Sequence, residues 1–133
     1  MSILKEFCIM IYLTSFTFPS EDMELAYAYN VGGASYPFRV LPLRGLRRLD
    51  FEPITIVYGS NGSGKSTVLN VIADKLQLCR DSKYNKTSSY PDYVKMCNAD
   101  MHKSIPENSR IITSDDVFEY MLNIRSLNEG IDQ

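Results

Sequence analysis

Gly59, Gly64, Lys65 and Ser66 fall at the spacing Gly-x-x-x-x-Gly-Lys-Ser within the run Gly59-Ser60-Asn61-Gly62-Ser63-Gly64-Lys65-Ser66. These residue types at this spacing suit one chemistry, the cradling of a polyphosphate. Glycines at positions 59, 62 and 64 permit backbone angles barred to other residues and let the main chain approach an anion closely. Amides from Asn61 to Ser66 would then converge as a nest at a helix amino terminus, where orphan N–H groups and the helix dipole both favour negative charge. Lys65 would set its ammonium on the β- and γ-phosphates, the Ser66 hydroxyl suits Mg²⁺, and the Thr67 hydroxyl suits the α-phosphate. The expected ligand is ATP with Mg²⁺. The expected binding residues are Gly59, Ser60, Asn61, Gly62, Ser63, Gly64, Lys65, Ser66 and Thr67, with Ser66 as the metal ligand.

Such a loop is expected between a strand and a helix. Residues 53–58 (Pro-Ile-Thr-Ile-Val-Tyr) read as a short apolar strand of the kind buried in a parallel sheet. Beyond the loop, Val68, Leu69, Val71, Ile72, Leu76 and Leu78 follow helical spacing, which predicts a helix over residues 65–78. Asp74 and Lys75 lie at its far end and read as solvated.

Upstream, residues 6–18 are rich in β-branched and aromatic types and end at the turn cluster Pro19-Ser20-Glu21-Asp22. Residues 23–29 alternate and read as the returning arm of a meander, closed by Asn30-Val31-Gly32-Gly33; residues 36–41 are a third strand candidate. Downstream, residues 80–92 are polar and aperiodic, an exposed loop, and residues 110–113 read as a short strand. Ser114-Asp115-Asp116 reads as a helix start, a capping hydroxyl followed by two acids, with Val117, Phe118, Met121 and Leu122 as the apolar stripe.

The bulk properties fit one globular domain. The chain has 133 residues, 44% hydrophobic and 23% charged, with a formal net charge of −2, so no overall basic field draws it to nucleic acid or anionic lipid. Cys8, Cys79 and Cys97 are too scattered for a disulfide framework, and with His102 they lack the spacing of a zinc site. The apolar run at residues 7–13 is too short to span a bilayer and carries no cleavage signal, so it reads as a buried strand in a cytoplasmic protein without membrane insertion.

The loop Gly-Ser-Asn-Gly-Ser-Gly-Lys-Ser-Thr, preceded by Ile54-Thr55-Ile56-Val57-Tyr58 and followed by Leu69-Asn70-Val71-Ile72-Ala73, resembles the ABC-type and RecF/SMC-like branch of the P-loop ATPases. Tyr36-Pro37-Phe38-Arg39 and residues 111–118 are similar to segments of bacterial AAA family ATPases of that branch. The resemblance implies an α/β fold. Residues 1–133 would be one truncated, ABC-ATPase-like P-loop domain, the amino-terminal lobe of a longer ATPase. Within it, 1–58 would be a β-rich lobe, 59–78 the loop and helix, and 79–133 a loop and helical segment. It also implies a homodimer or a complementary ATPase half as partner.

The family's further motifs are not visible in this chain. Its members hydrolyse ATP with an apolar run ending in Asp and Glu, a Leu-Ser-Gly-Gly-like signature and a later switch histidine. Ile111-Ile112-Thr113-Ser114-Asp115-Asp116 is the nearest imitation of the first, and fits a capped helix better. No catalytic residue is therefore assigned, and hydrolysis is expected only where those motifs are supplied elsewhere.

Two other readings stand beside this one. A small P-loop kinase would need a lid, for which Arg80 and Arg110 are the available arginines. A DNA-associated ATPase module would use Arg39, Arg44, Arg47 and Arg48, a cluster that a solvated face or ion pairs also explains. Tyr36 or Phe38 could stack on adenine or pack in the core.

Overall fold

Leu-Thr-Ser-Phe-Thr carries the β-branched and aromatic side chains that suit a pleated, half-buried surface. In the computed structural model, which describes residues 11–84 and 86–131, it forms strand β1, Leu13–Thr17. The rest of the strand expected over residues 6–18 falls partly at 6–10, as does Cys8, outside the described residues.

β1 is the centre of a three-stranded sheet among the described residues. On one side it pairs antiparallel with β2 (Arg48–Asp50), Phe16 opposite Leu49; on the other it pairs antiparallel with β3 (Asn98–Met101), Phe16 opposite Ala99. A bulge interrupts the second ladder between Leu13 and Ser15, and the Ser15 hydroxyl there donates to the Asp100 carboxylate at 2.6 Å.

Four α-helices complete the described elements: α1 (Glu21–Val31), α2 (Lys65–Lys75), α3 (Tyr90–Met96) and α4 (Ser114–Ile131). A short 3₁₀ turn lies at Pro42–Arg44. The chain is thus a small α/β protein with an antiparallel sheet.

α1 replaces the second meander strand expected at residues 23–29. Ser20 caps it by accepting from the Met23 amide at 3.3 Å, Glu21, Asp22 and Glu24 fill its first turn, and Gly32 closes it in the left-handed region at φ 77°. Met, Glu, Leu and Ala are strong helix formers, and between two caps they override the alternation. Among the described residues, 11–58 hold two short strands, this helix and the 3₁₀ turn.

Three further expectations change. Residues 36–41 form turns, with Arg39 at φ 66°, an angle no strand accommodates. Residues 80–84 and 86–89 lack regular structure, but Ser89 is buried rather than exposed, and Tyr90 to Asp92 already belong to α3. Residues 110–113 contribute a single parallel bridge, Cys79 to Arg110, rather than a strand.

The core lies where α2 and α3 meet the sheet. Phe16, Phe38, Val68, Val71, Tyr90 and Tyr93 are all at most 4% exposed. Phe38 stacks on Tyr27 with ring centroids 4.5 Å apart and meets Tyr93 edge-on at 4.9 Å. Tyr27 of α1 also donates to Asp92 of α3 at 2.7 Å, tying the two helices across this aromatic cluster.

Residues 53–58 depart most from expectation. They are irregular in structure, and Ile54, Ile56 and Tyr58 are 84%, 80% and 90% exposed. The composition is that of a buried strand, but among the described residues no strand pairs with it. Only the turn at its start is tied, by the Thr55 hydroxyl to the backbone of Glu52.

Candidate phosphate-binding site

The loop–helix junction is set by glycine geometry. Gly62 at φ 79° and Gly64 at φ 95° turn the chain into α2 through the left-handed region. A side chain on Gly64 would also press on Leu41, its Cβ lying 3.2 Å from Cδ2. On Gly59 a Cβ would meet the Ser63 hydroxyl at 2.6 Å, so the loop closes on itself tightly there.

Gly64 is the N-cap of α2, and no side chain caps this helix end. The first-turn amides thus keep their hydrogen-bonding capacity for an incoming acceptor. The Lys65 ammonium curls back over the loop and donates to the carbonyls of Gly59 and Ser60, the latter at 2.8 Å, and to the Ser63 hydroxyl at 3.3 Å. A cation, a helix amino terminus and a glycine turn therefore converge on one concave face. Residues 61–67 line it together with Val40, around about 310 Å³.

The nine expected binding residues divide by position. Asn61, Gly62, Ser63, Gly64, Lys65, Ser66 and Thr67 line the cleft; Gly59 and Ser60 are not among its lining residues and hold the Lys65 ammonium through their carbonyls. Ser66 is exposed on the first helical turn, and its position and hydroxyl fit a role as a Mg²⁺ ligand beside a bound triphosphate. Thr67 is only 5% exposed, and its hydroxyl is hydrogen-bonded to the Tyr36 hydroxyl at 2.7 Å. Phe38 offers no free adenine platform, because it is buried in the aromatic cluster; Tyr36 is half-buried with its hydroxyl engaged by Thr67.

α2 ends at Lys75, short of the 78 expected. Gln77 turns left-handed at φ 54° and the Leu78 amide bonds back to Ala73, which closes the helix. Asp74 is not simply solvated; its carboxylate pairs with Lys86 at 3.5 Å.

One relationship escaped the sequence, and one ion pair it offered for the basic cluster is present. The Arg44 guanidinium donates to the Gly62 carbonyl at 2.6 Å, buttressing the loop from the preceding 3₁₀ turn. Arg48 pairs with Asp50, so members of the basic cluster serve internal contacts. At α4 the cap lies one residue earlier than expected. Thr113, not Ser114, supplies the hydroxyl, and the Asp116 carboxylate accepts from the Thr113 amide at 2.8 Å and hydroxyl at 2.9 Å. Those hydrogen bonds, the one from the Thr113 amide foremost, hold the Asp116 pKa below the usual carboxylate value. Asp116 is committed to the cap.

Among the described residues no group of three His, Cys, Asp or Glu side chains could hold a metal ion. Cys97 is buried, its thiol pushed up to about 12 by desolvation; Cys79 and His102 are exposed. No helix of the described residues is long and apolar enough to cross a membrane.

Compared with protein-family models, curated proteins and solved structures, the chain gives no significant match in any of the three.

Proposed function

We propose that this chain binds Mg-ATP through residues 59–67, as the nucleotide-binding lobe of an ABC/RecF-like P-loop ATPase. The observation that carries the reading is the convergence of Lys65, the uncapped amino terminus of α2 and the two left-handed glycines on one cleft. In this reading amides between Asn61 and Ser66 hold the phosphates, Lys65 leaves its backbone acceptors to pair with the β- and γ-oxygens, and Ser66 holds the metal. Mg²⁺ supplies charge neutralisation at the terminal phosphates.

Hydrolysis also needs an oriented water. Asp116 is spent on a helix cap, so the reading assigns water activation to a complementary ATPase half or a second copy. Exposed apolar side chains support that part of the reading: Ile54, Ile56 and Tyr58 before the loop, and Phe118, Tyr120 and Leu127 on α4. The chain alone is expected to bind nucleotide and to release phosphate negligibly.

Titration with a fluorescent ATP analogue and Mg²⁺ tests the proposal. Binding by the parent and loss of binding in Lys65→Ala are expected; equal binding by both forms rejects it.

A further inference from the structure

A second cavity, about 520 Å³, opens beside the phosphate-binding cleft and shares Ser66 with it. That volume lies within the range of small-molecule sites. Its walls come from α2, from the segment following α2, and from the amino terminus of α4, with Asn70, Arg80, Lys83, Tyr84 and Asp115 among the lining residues.

Arg80 is held in this wall with its plane fixed. Its Nε donates to the Ser82 carbonyl at 2.9 Å, another guanidinium nitrogen donates to Asn70 Oδ1 at 3.0 Å, and its centre lies 3.8 Å from the centroid of the Tyr84 ring. None of these partners is a carboxylate. Among the described residues neither Arg80 nor Lys83 forms an ion pair, whereas neighbouring Arg110 and Lys86 do. The Ser82 and Thr113 hydroxyls, 2.9 Å apart, join the two walls. Of the nearby acids, Asp81 pairs with Arg110 and Asp116 caps α4; Asp115 alone lines the cavity. The cavity thus presents two cations, one of them rigid and stacked, against one carboxylate, beside the residue assigned to the metal.

We propose that this cavity is a second ligand site, which takes a small phosphomonoester bearing a free hydroxyl. Arg80 and Lys83 receive its phosphate, and Asp115 accepts its hydroxyl proton in a hydrogen bond. A planar guanidinium and a mobile ammonium together suit the several oxygens of a phosphate. The proposal deepens the Mg-ATP reading by placing a second ligand beside Ser66, which lines both cavities, and its test separates the two.

The chain is saturated with Mg²⁺ and a non-hydrolysable ATP analogue, then titrated with glycerol 2-phosphate while backbone amide shifts are followed. Shifts centred on Ser82, Lys83, Thr113 and Ser114 are expected. Lys83→Gln and Arg80→Gln should each weaken this binding about 10-fold, as loss of a charge-assisted hydrogen bond does, with the nucleotide affinity unchanged. Lys83 is exposed, so its variant keeps the result readable should Arg80→Gln misfold. Lys65→Ala should lose the analogue and, titrated without it, keep the phosphomonoester. Were the analogue not to bind the parent, the same titration on the nucleotide-free chain would still judge this site. Absent shifts at those four amides, unchanged affinity in Lys83→Gln, or loss of the phosphomonoester in Lys65→Ala would overturn the proposal.

Discussion

Arg44 reaches from the 3₁₀ turn to the Gly62 carbonyl, 2.6 Å away, and so anchors the tip of the phosphate-binding loop to a segment that precedes it by 18 positions. The contact fixes the Gly62 peptide without using any amide that would face a phosphate. Arg44→Ala should therefore leave the fold intact and weaken nucleotide binding about 3- to 10-fold, in line with loss of one exposed charge-assisted hydrogen bond. Titration with a fluorescent nucleotide, beside a denaturant melt, checks both halves.

Gly64→Ala tests the helix cap. At φ 95° a side chain is strained, and its Cβ would lie 3.2 Å from Leu41. A loss of about 1–2 kcal/mol in unfolding free energy is expected from the left-handed backbone. Nucleotide binding should fall with it, because the amide of Lys65 is re-aimed.

Much of the site was legible in the sequence because its determinants are local. Glycine positions, the lysine and the helix that follows are all encoded within residues 59–75, and they lie together in space. What was not legible depends on distant partners. The Arg44–Gly62 contact, the Tyr36–Thr67 hydrogen bond and the Arg80 pocket join segments that no spacing rule connects. α1 shows a different failure: alternation in Met-Glu-Leu-Ala-Tyr-Ala-Tyr suggested a strand, while Ser20 before it and Gly32 after it were the helix signals. Residues 53–58 have strand composition, yet composition does not supply a neighbouring strand.

Glu24 should make stability depend on pH. It is buried on α1, one carboxylate oxygen accepting from the Arg39 amide at 2.7 Å and the other without a partner among the described residues. Burial raises its pKa above 4.5. A raised carboxyl binds its proton more tightly in the folded state, so this contribution is present below about pH 4.5 and is lost as pH rises through the folded-state value. Glu24→Gln keeps a carbonyl for the Arg39 amide and should remove that fall. Urea midpoints of both forms at pH 4.5 and pH 8 measure it; parallel changes would contradict the assignment.

Tyr93 is fully buried with a hydroxyl that finds no partner among the described residues, and desolvation raises its pKa strongly. Removing that oxygen while keeping the ring against Phe38 should be neutral or stabilising by about 1 kcal/mol. Denaturant unfolding of Tyr93→Phe decides it, and a clear destabilisation would mean that the hydroxyl is satisfied.

Amide chemical shifts on addition of Mg²⁺ and a non-hydrolysable ATP analogue probe the central claim most directly. The largest changes should fall on residues 61–67, which line the cleft, and should vanish in Lys65→Ala. Shifts centred elsewhere while those amides stay still, or no shifts at millimolar nucleotide, would contradict it.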